Sequence, residues 1–191
     1  FKAGLIPVSL EEDGKIFMTQ PSGKIFQTFM NKERIAQALG LTENNLDELL
    51  PVQSASTGFP ALLVPINSLR AMQRIVLNLS LLKELLDEVG VDMIYPFTRQ
   101  TCEEASSIHS RGFAPFIGIP EDPATGSVAG ALGYYLNDKD PKEKTIVIEQ
   151  GYEMKRPGQI FVELDNVEGQ SPSIRVGGNA RLVFKGTLYL D

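Results

Sequence analysis

From Val128 to Leu136 the chain reads Val, Ala, Gly, Ala, Leu, Gly, Tyr, Tyr, Leu, with no polar face at helical spacing. A helix of that composition is apolar all round, and such helices lie inside a core rather than on a surface. The rest of the chain must therefore sheathe one central helix. Asp122 followed by Pro123 reads as the N-cap and first helical position, where proline lacks only an N–H that would have no partner anyway.

The opening turn defined in this way carries Asp122, Thr125, Gly126 and Ser127. Amides at a helix start have no acceptor within the helix, and the positive end of the dipole adds to them. In a water-poor cleft they suit a carboxylate or a phosphate. A plainer reading stands beside this one: Asp-Pro is a common helix opening, and glycines at 126, 130 and 133 can simply allow close packing.

Composition narrows the partners. With 191 residues, 42% hydrophobic and 22% charged, the chain is long enough for one large folded domain or two small ones. Its formal charge of -6 argues against nucleic acid or an anionic membrane, both of which call for clustered Lys and Arg. A single cysteine and a single histidine allow no internal disulfide and no Cys/His cluster spaced for zinc or iron, so no metal is expected. No stretch has the apolar length of a membrane span and no basic-then-apolar leader opens the chain, so a cytoplasmic location is expected.

Local patterns predict the remaining elements. Residues 3–10 and 15–20 alternate around Glu11-Glu12-Asp13-Gly14, the signature of a hairpin. Asn31 caps a short helix from Lys32 to Leu39 that stops at Gly40, and a second helix is expected from Thr42 to about Leu50, before Pro51. From Leu69 to Val89 the positions Met72, Ile75, Val76, Leu79, Leu82, Leu85, Leu86 and Val89 have the spacing of one long amphipathic helix ending at Gly90. Strands are expected at Ala61–Ile66, Met93–Phe97, Thr145–Glu149, Ile160–Leu164 and Leu182–Leu190. Residues Asn166 to Pro172 read as a polar loop, and Gly177-Gly178 as a turn or bulge before the last strand. Strands that meet through turns argue for an α+β fold, a mixed or antiparallel sheet wrapped around the central buried helix.

Several spaced motifs then carry a resemblance. Arg111-Gly-Phe-Ala-Pro115 and Gly118-Ile-Pro-Glu-Asp-Pro-Ala-Thr-Gly-Ser127 resemble the signature of the phenazine-biosynthesis (PhzF-like) isomerases, which share the fold of diaminopimelate epimerase. Glu149-Gln-Gly151, Arg156-Pro157, Val176-Gly-Gly178 and Ser56-Thr-Gly-Phe-Pro60 continue it in the expected order. The resemblance implies two pseudo-symmetric halves, each a sheet around a helix, with the active site between them and both helix N-termini aimed at the substrate. This chain, which opens at Phe1 in a strand-like run, would be the C-terminal portion of such an enzyme. Residues 1–20 would be remnant strands of an otherwise missing N-terminal half, 21–180 the epimerase-like domain, and 181–191 a terminal strand returning to that half.

By the same resemblance the parent is a cofactor-independent isomerase that moves a proton on a small carboxylate-bearing substrate. Asp122 and Ser127 would be this chain's catalytic residues, Thr125 and Gly126 would bind substrate through backbone amides, and Gly58 would add a weaker backbone contact. The principal acid/base Glu and a His from a Gly-His motif would lie in the missing half. His109 follows Ile108 rather than a glycine, so that role is not transferred to it. Cys102 lies upstream of the position at which the related epimerases carry a catalytic cysteine, which is Asp122 here, so two-thiol racemisation finds no support. Arg111 could pair with a substrate carboxylate or with Glu121, and the structural ion pair with Glu121 is the favoured reading. Partners would be the substrate, the missing half, and through exposed apolar surface a second copy in a homodimer. A non-catalytic small-molecule binding module of the same fold is the alternative.

Overall fold

A computed structural model describes residues 5–166, 171–187 and 189. In chain order the elements are β1 (Val8–Leu10), β2 (Lys15–Thr19), β3 (Lys24–Thr28), α1 (Lys32–Ala38), β4 (Gln53–Ser56) and β5 (Ala61–Pro65). There follow α2 (Leu69–Gln73), α3 (Leu79–Val89), β6 (Met93–Thr98), β7 (Ile108–Ser110), β8 (Gly112–Ala114) and β9 (Ile119–Asp122). The last are α4 (Gly126–Lys139), β10 (Thr145–Gln150), β11 (Gly158–Asp165) and β12 (Ser173–Asn179). One sheet runs in the order β1, β2, β12, β11, β10, β7, β6, β5, β4, β3, with β8 and β9 branching from β6. The pairs β5 with β6 and β7 with β10 are parallel and the others antiparallel, the mixed sheet of an α+β fold.

This sheet wraps α4. The helix packs against β11 and β12 on one side and β3, β4 and β5 on the other, and its residues from Val128 to Gly133 and from Tyr135 to Asn137 are buried. Alternate residues of the strands, Leu63, Tyr95, Phe97, Ile148, Val162 and Ile174, share a core with Leu132, Tyr135 and Leu136. Burying each large side chain of this kind contributes about 1.5–3 kcal/mol. The Tyr135 ring stands edge-on to Phe97 at 6.0 Å and its hydroxyl donates to the Pro51 carbonyl at 2.7 Å.

The intervening residues Leu62, Val64 and Ile94 face the opposite way, into a second core with Ile35, Leu39, Met72, Leu82 and Leu85 from α1, α2 and α3. β4, β5 and β6 are thus buried along their whole length. The hairpin turn, closed by Gly14 at φ +84°, and the Asn31 cap of α1 lie where the sequence places them, but the first strand is only Val8–Leu10 of the expected 3–10. Residues 3 and 4 of the first predicted strand lie outside the described residues.

Elsewhere tertiary contacts overrule local pattern. The long helix expected from Leu69 to Val89 is two helices, α2 and α3. In the break, the amides of Val76 and Asn78 donate to the Leu39 and Ala38 carbonyls, and the Asn78 side chain caps α3 by accepting from the Leu81 amide. The helix expected from Thr42 to Leu50 is a single 3₁₀ turn, Glu43–Asn45, because Leu46 bridges to Ile66 and the Asp47 amide bonds to the Pro65 carbonyl.

Gly177 and Gly178 lie inside β12, paired with β2, rather than in a turn. A Cβ at Gly177 would come within 2.5 Å of the Phe17 ring, so an aromatic side chain of the facing strand fills the place of the missing one. The terminal strand expected at Leu182–Leu190 is not formed by the described residues there, which are exposed and unpaired in the sheet. Residues 188 and 190, like 167–170 of the predicted polar loop, lie outside the described residues. β3, β4 and β7–β9 carried too few alternating residues to be read from the sequence. No helix among the described residues is long and apolar enough to cross a membrane.

Candidate functional site

The segment that leads into α4 starts from β9, where Asp122 is held in extended pairing opposite Gly112. That pairing moves the helix start downstream of the expected Asp122-Pro123: the N-cap is Thr125 and the first helical residue is Gly126. Asp122 nonetheless serves the turn. One carboxylate oxygen accepts the Thr125 hydroxyl at 2.8 Å and the other lies 3.4 Å from the Ala124 amide.

The predicted substrate-binding amides divide. Thr125 is buried and its N–H donates to Gln150 Oε1 at 3.2 Å, so it is not available to a ligand as expected. The amides of Gly126 and Ser127 have no acceptor among the described residues and no side chain caps the helix, while Ser127 is exposed. Packing explains two of the helix glycines and not the third. A Cβ at Gly133 would lie 2.5 Å from Val162 Cγ1, and one at Gly130 would meet Thr57, Val176 and Gln20 at 3.1–3.2 Å. A Cβ at Gly126 would meet only Val176, at 3.8 Å. A side chain at Gly126 would therefore make no more than an ordinary contact, so packing does not require glycine there.

Gly58 is near this helix start through its neighbour, because the Thr57 hydroxyl donates to the Ser127 carbonyl at 3.1 Å. Its φ of +143° demands glycine, but its amide already donates to Ser56 Oγ at 2.9 Å. Any backbone contact from Gly58 is left to its carbonyl.

Behind the turn stands a buried polar network that the sequence did not reveal. Gln150 Nε2 donates to the Asp122 carbonyl at 2.6 Å and to Thr125 Oγ1 at 2.9 Å, while Gln150 Oε1 accepts from the Tyr95 hydroxyl at 2.8 Å. The Tyr95 hydroxyl also bonds Ser110 Oγ at 2.9 Å. Glycines make the room: a Cβ at Gly112 would press on Thr125 Oγ1 at 2.9 Å, and one at Gly151 on the Arg156 and Pro123 carbonyls at 2.3 and 2.8 Å.

On the opposite face of the same strands lies a second cluster. His109 Nδ1 is 2.8 Å from Glu149 and its Nε2 is 3.1 Å from Glu153. Burial alone would lower the imidazole, but the bonds to Glu153 and Glu149 outweigh it and hold His109 above its ordinary value. Burial would raise both carboxyls. The Cys102 and Glu103 amides and His109 hold Glu149 below its usual value, and His109 does the same for Glu153. Lost hydration and the neighbouring Glu149 push the Cys102 thiol up to about 11, unsuited to acting as a base at neutral pH.

Cys102, His109 and Glu149 bring potential ligand atoms within 4.8 Å of one another, a meeting that the counts of Cys and His had argued against. Those atoms are already engaged: both ring nitrogens face carboxylates, and both Glu149 oxygens accept amides, from Cys102 at 2.6 Å and Glu103 at 3.0 Å. The arrangement is a buried ion network in which Glu153 Oε2 alone has no hydrogen-bond partner among the described residues. Arg111 pairs with Glu121 through two bonds of 2.8 and 2.9 Å, as expected, and donates to the Met72 carbonyl. That pair anchors the residue preceding Asp122. A cavity of about 760 Å³ beside β3 and the end of α3 contains none of these residues.

A mixed sheet rolled around one buried helix with an open N-terminus is the architecture of epimerase-like isomerases. The chain belongs to the phenazine biosynthesis-like (PhzC-PhzF) family, whose model matches residues 1–186. Because that match takes in nearly the whole chain, the assignment to a C-terminal portion is not borne out. The chain is 32% identical to the uncharacterized isomerase YfhB of Bacillus subtilis, over 99% of its own length and 65% of the relative's. It is 33% identical to an uncharacterized isomerase of Clostridium acetobutylicum, over 99% and 66%. It spans, then, just under two-thirds of the length of these relatives. Among solved structures, a PhzF-family phenazine biosynthesis protein of Bacillus anthracis matches with a TM-score of 0.82 and 29% identity, over 91% of this chain and 61% of that one. A predicted epimerase of Pseudomonas aeruginosa matches with a TM-score of 0.72 and 27% identity, over 94% and 63%.

Proposed function

We propose that this chain supplies one wall of the active site of a cofactor-independent isomerase that shifts a proton on a small carboxylate-bearing substrate. The observation that carries the reading is the pair of amides at Gly126 and Ser127, which have no acceptor among the described residues, at the start of a buried 14-residue helix and beside the Asp122 carboxylate. Proton transfer next to a carboxylate needs fixed donors for the charge that develops and an acid/base within reach of the carbon. The amides and the Ser127 hydroxyl fill the first need, and Asp122 contributes to the second. The isomerase names of the relatives point the same way.

The principal acid/base is assigned to the part of the relatives' length that this chain does not span. Exposed Val8, Leu10, Met18, Leu182, Val183 and Phe184 would be covered by that part, and the chain alone is expected to turn over nothing. The test is wash-in of solvent deuterium into a panel of small carboxylic acids with acidic C–H bonds, using the full-length protein. Asp122→Asn is expected to lower exchange by about 10²–10⁴-fold, the usual contribution of a proton-transfer group. Unchanged exchange in both Asp122→Asn and Ser127→Ala would remove the site. Tight binding of an acid with no exchange would point to a binding module instead.

A further inference from the structure

We propose that Gln150 is a positioning residue for Asp122 and for the helix start, an inference that rests on the reading of that turn as the substrate site. Gln150 is fully buried and sits at the end of β10, yet its amide meets the turn at three points and β6 at a fourth. The pattern of those bonds fixes the direction of each proton. Oε1 accepts from the Thr125 amide and the Tyr95 hydroxyl, so Nε2 is the side that donates, to the Asp122 carbonyl and to Thr125 Oγ1. With its oxygen already accepting, Thr125 Oγ1 turns its own proton to Asp122 Oδ2.

Gln150 thereby does two things that no other described residue does. It consumes the Thr125 amide, leaving Gly126 and Ser127 as the anion-facing pair. It also makes the Thr125 hydroxyl a donor, which holds Asp122 Oδ2 against the turn, while Oδ1 carries only the long 3.4 Å bond from the Ala124 amide. Tyr95 and Ser110 hold the Gln150 amide in turn, and the absence of a side chain at Gly112 leaves space for the Thr125–Gln150 bond. Networks of this kind are cooperative because each bond polarises the next. Gln150 thus acts on the turn without touching the substrate.

The experiment compares Gln150→Met, which keeps length and loses every bond, with Gln150→Glu, which keeps the acceptor for Thr125 and loses the donor. Amide hydrogen exchange in the full-length protein reads the turn without any substrate, and deuterium wash-in reads the chemistry. Gln150→Met is expected to speed exchange at the Thr125 amide by about 10- to 100-fold relative to Leu132 in the same helix, the factor set by one buried hydrogen bond. Gln150→Glu is expected to keep that amide protected and still to lower the rate of wash-in. Unchanged protection of Thr125 in Gln150→Met overturns the proposal. So does a loss of wash-in that is identical in the two variants and matched by equal loss of protection throughout α4, the outcome of mere space filling. If Thr125 is released and wash-in is unaffected, the positioning role is refuted, while Asp122→Asn continues to test the site itself.

Discussion

Glu149 and Gln150 are consecutive in β10 and serve opposite faces of the sheet. Glu149 accepts from His109 and from the Cys102 and Glu103 amides on the outer side, and Gln150 holds Thr125, Asp122 and Tyr95 on the side of α4. The parallel pairing with β7 sets His109 opposite Glu149 and Ser110 opposite Gln150, so one register fixes both networks. A slip of one residue would exchange the two sets of side chains between faces. The polar support of the helix start and the buried ion cluster therefore stand or fall together.

The ion cluster predicts how stability depends on pH. His109 is held above its ordinary value of 6.5, so its contribution is complete below about that pH and is lost as pH rises through the folded value. Glu149 and Glu153 are held below 4.5, so their contribution is present above that pH and is lost as pH falls through the folded values. Urea unfolding measured from acid to alkaline pH should give a plateau falling at both ends. His109→Gln should abolish the alkaline decline and lower the plateau by roughly 3–5 kcal/mol, because it leaves buried carboxylates without their partner. An unaltered alkaline limb would contradict the assignment.

Gly133→Ala should destabilise by about 1–3 kcal/mol, since the added methyl would lie 2.5 Å from Val162 Cγ1. Combined with Val162→Ala, its cost should be smaller than the two single losses added together. Additive losses in urea unfolding would show that the helix and β11 do not meet at this point.

Asn78→Ala should cost about 1 kcal/mol by removing the side-chain acceptor for the Leu81 amide at 3.3 Å. The loss should appear as faster amide exchange in the first turn of α3 with α2 unaffected. Were Leu69–Val89 one continuous helix, the substitution would instead be neutral or stabilising, alanine being the better helix former.

The apolar run after Ser127, the α1 cap at Asn31 and the hairpin at Gly14 were legible because each depends on neighbours in the chain. The same local logic overreached at Leu69–Val89, where apolar spacing persists through Val76 and Leu79 although both are exposed. It also placed the helix start at Asp122-Pro123, because it could not register that β9 pairs with β8 as far as Asp122. At the site, Asp122, Gly126 and Ser127 came from motif and helix physics, and the amides of Gly126 and Ser127 have no acceptor among the described residues. Thr125 was misassigned because the acceptor for its amide, Gln150, lies on a distant strand. The pairing of His109 with Glu149 had no sequence signal, although Glu149 lies in a quoted motif, because the two are forty positions apart and adjacent only across β7 and β10.

What the sequence by itself determined is a rod of apolar and small residues that has to be enclosed, together with motifs that mark its opening turn. Both are properties of consecutive residues, for which burial and backbone geometry follow from spacing. Only the tertiary structure decided which amides of that turn remain open and which way Asp122 faces. Those outcomes depend on hydrogen bonds between side chains far apart in the chain, and a buried donor or acceptor takes whichever partner the sheet register brings to it.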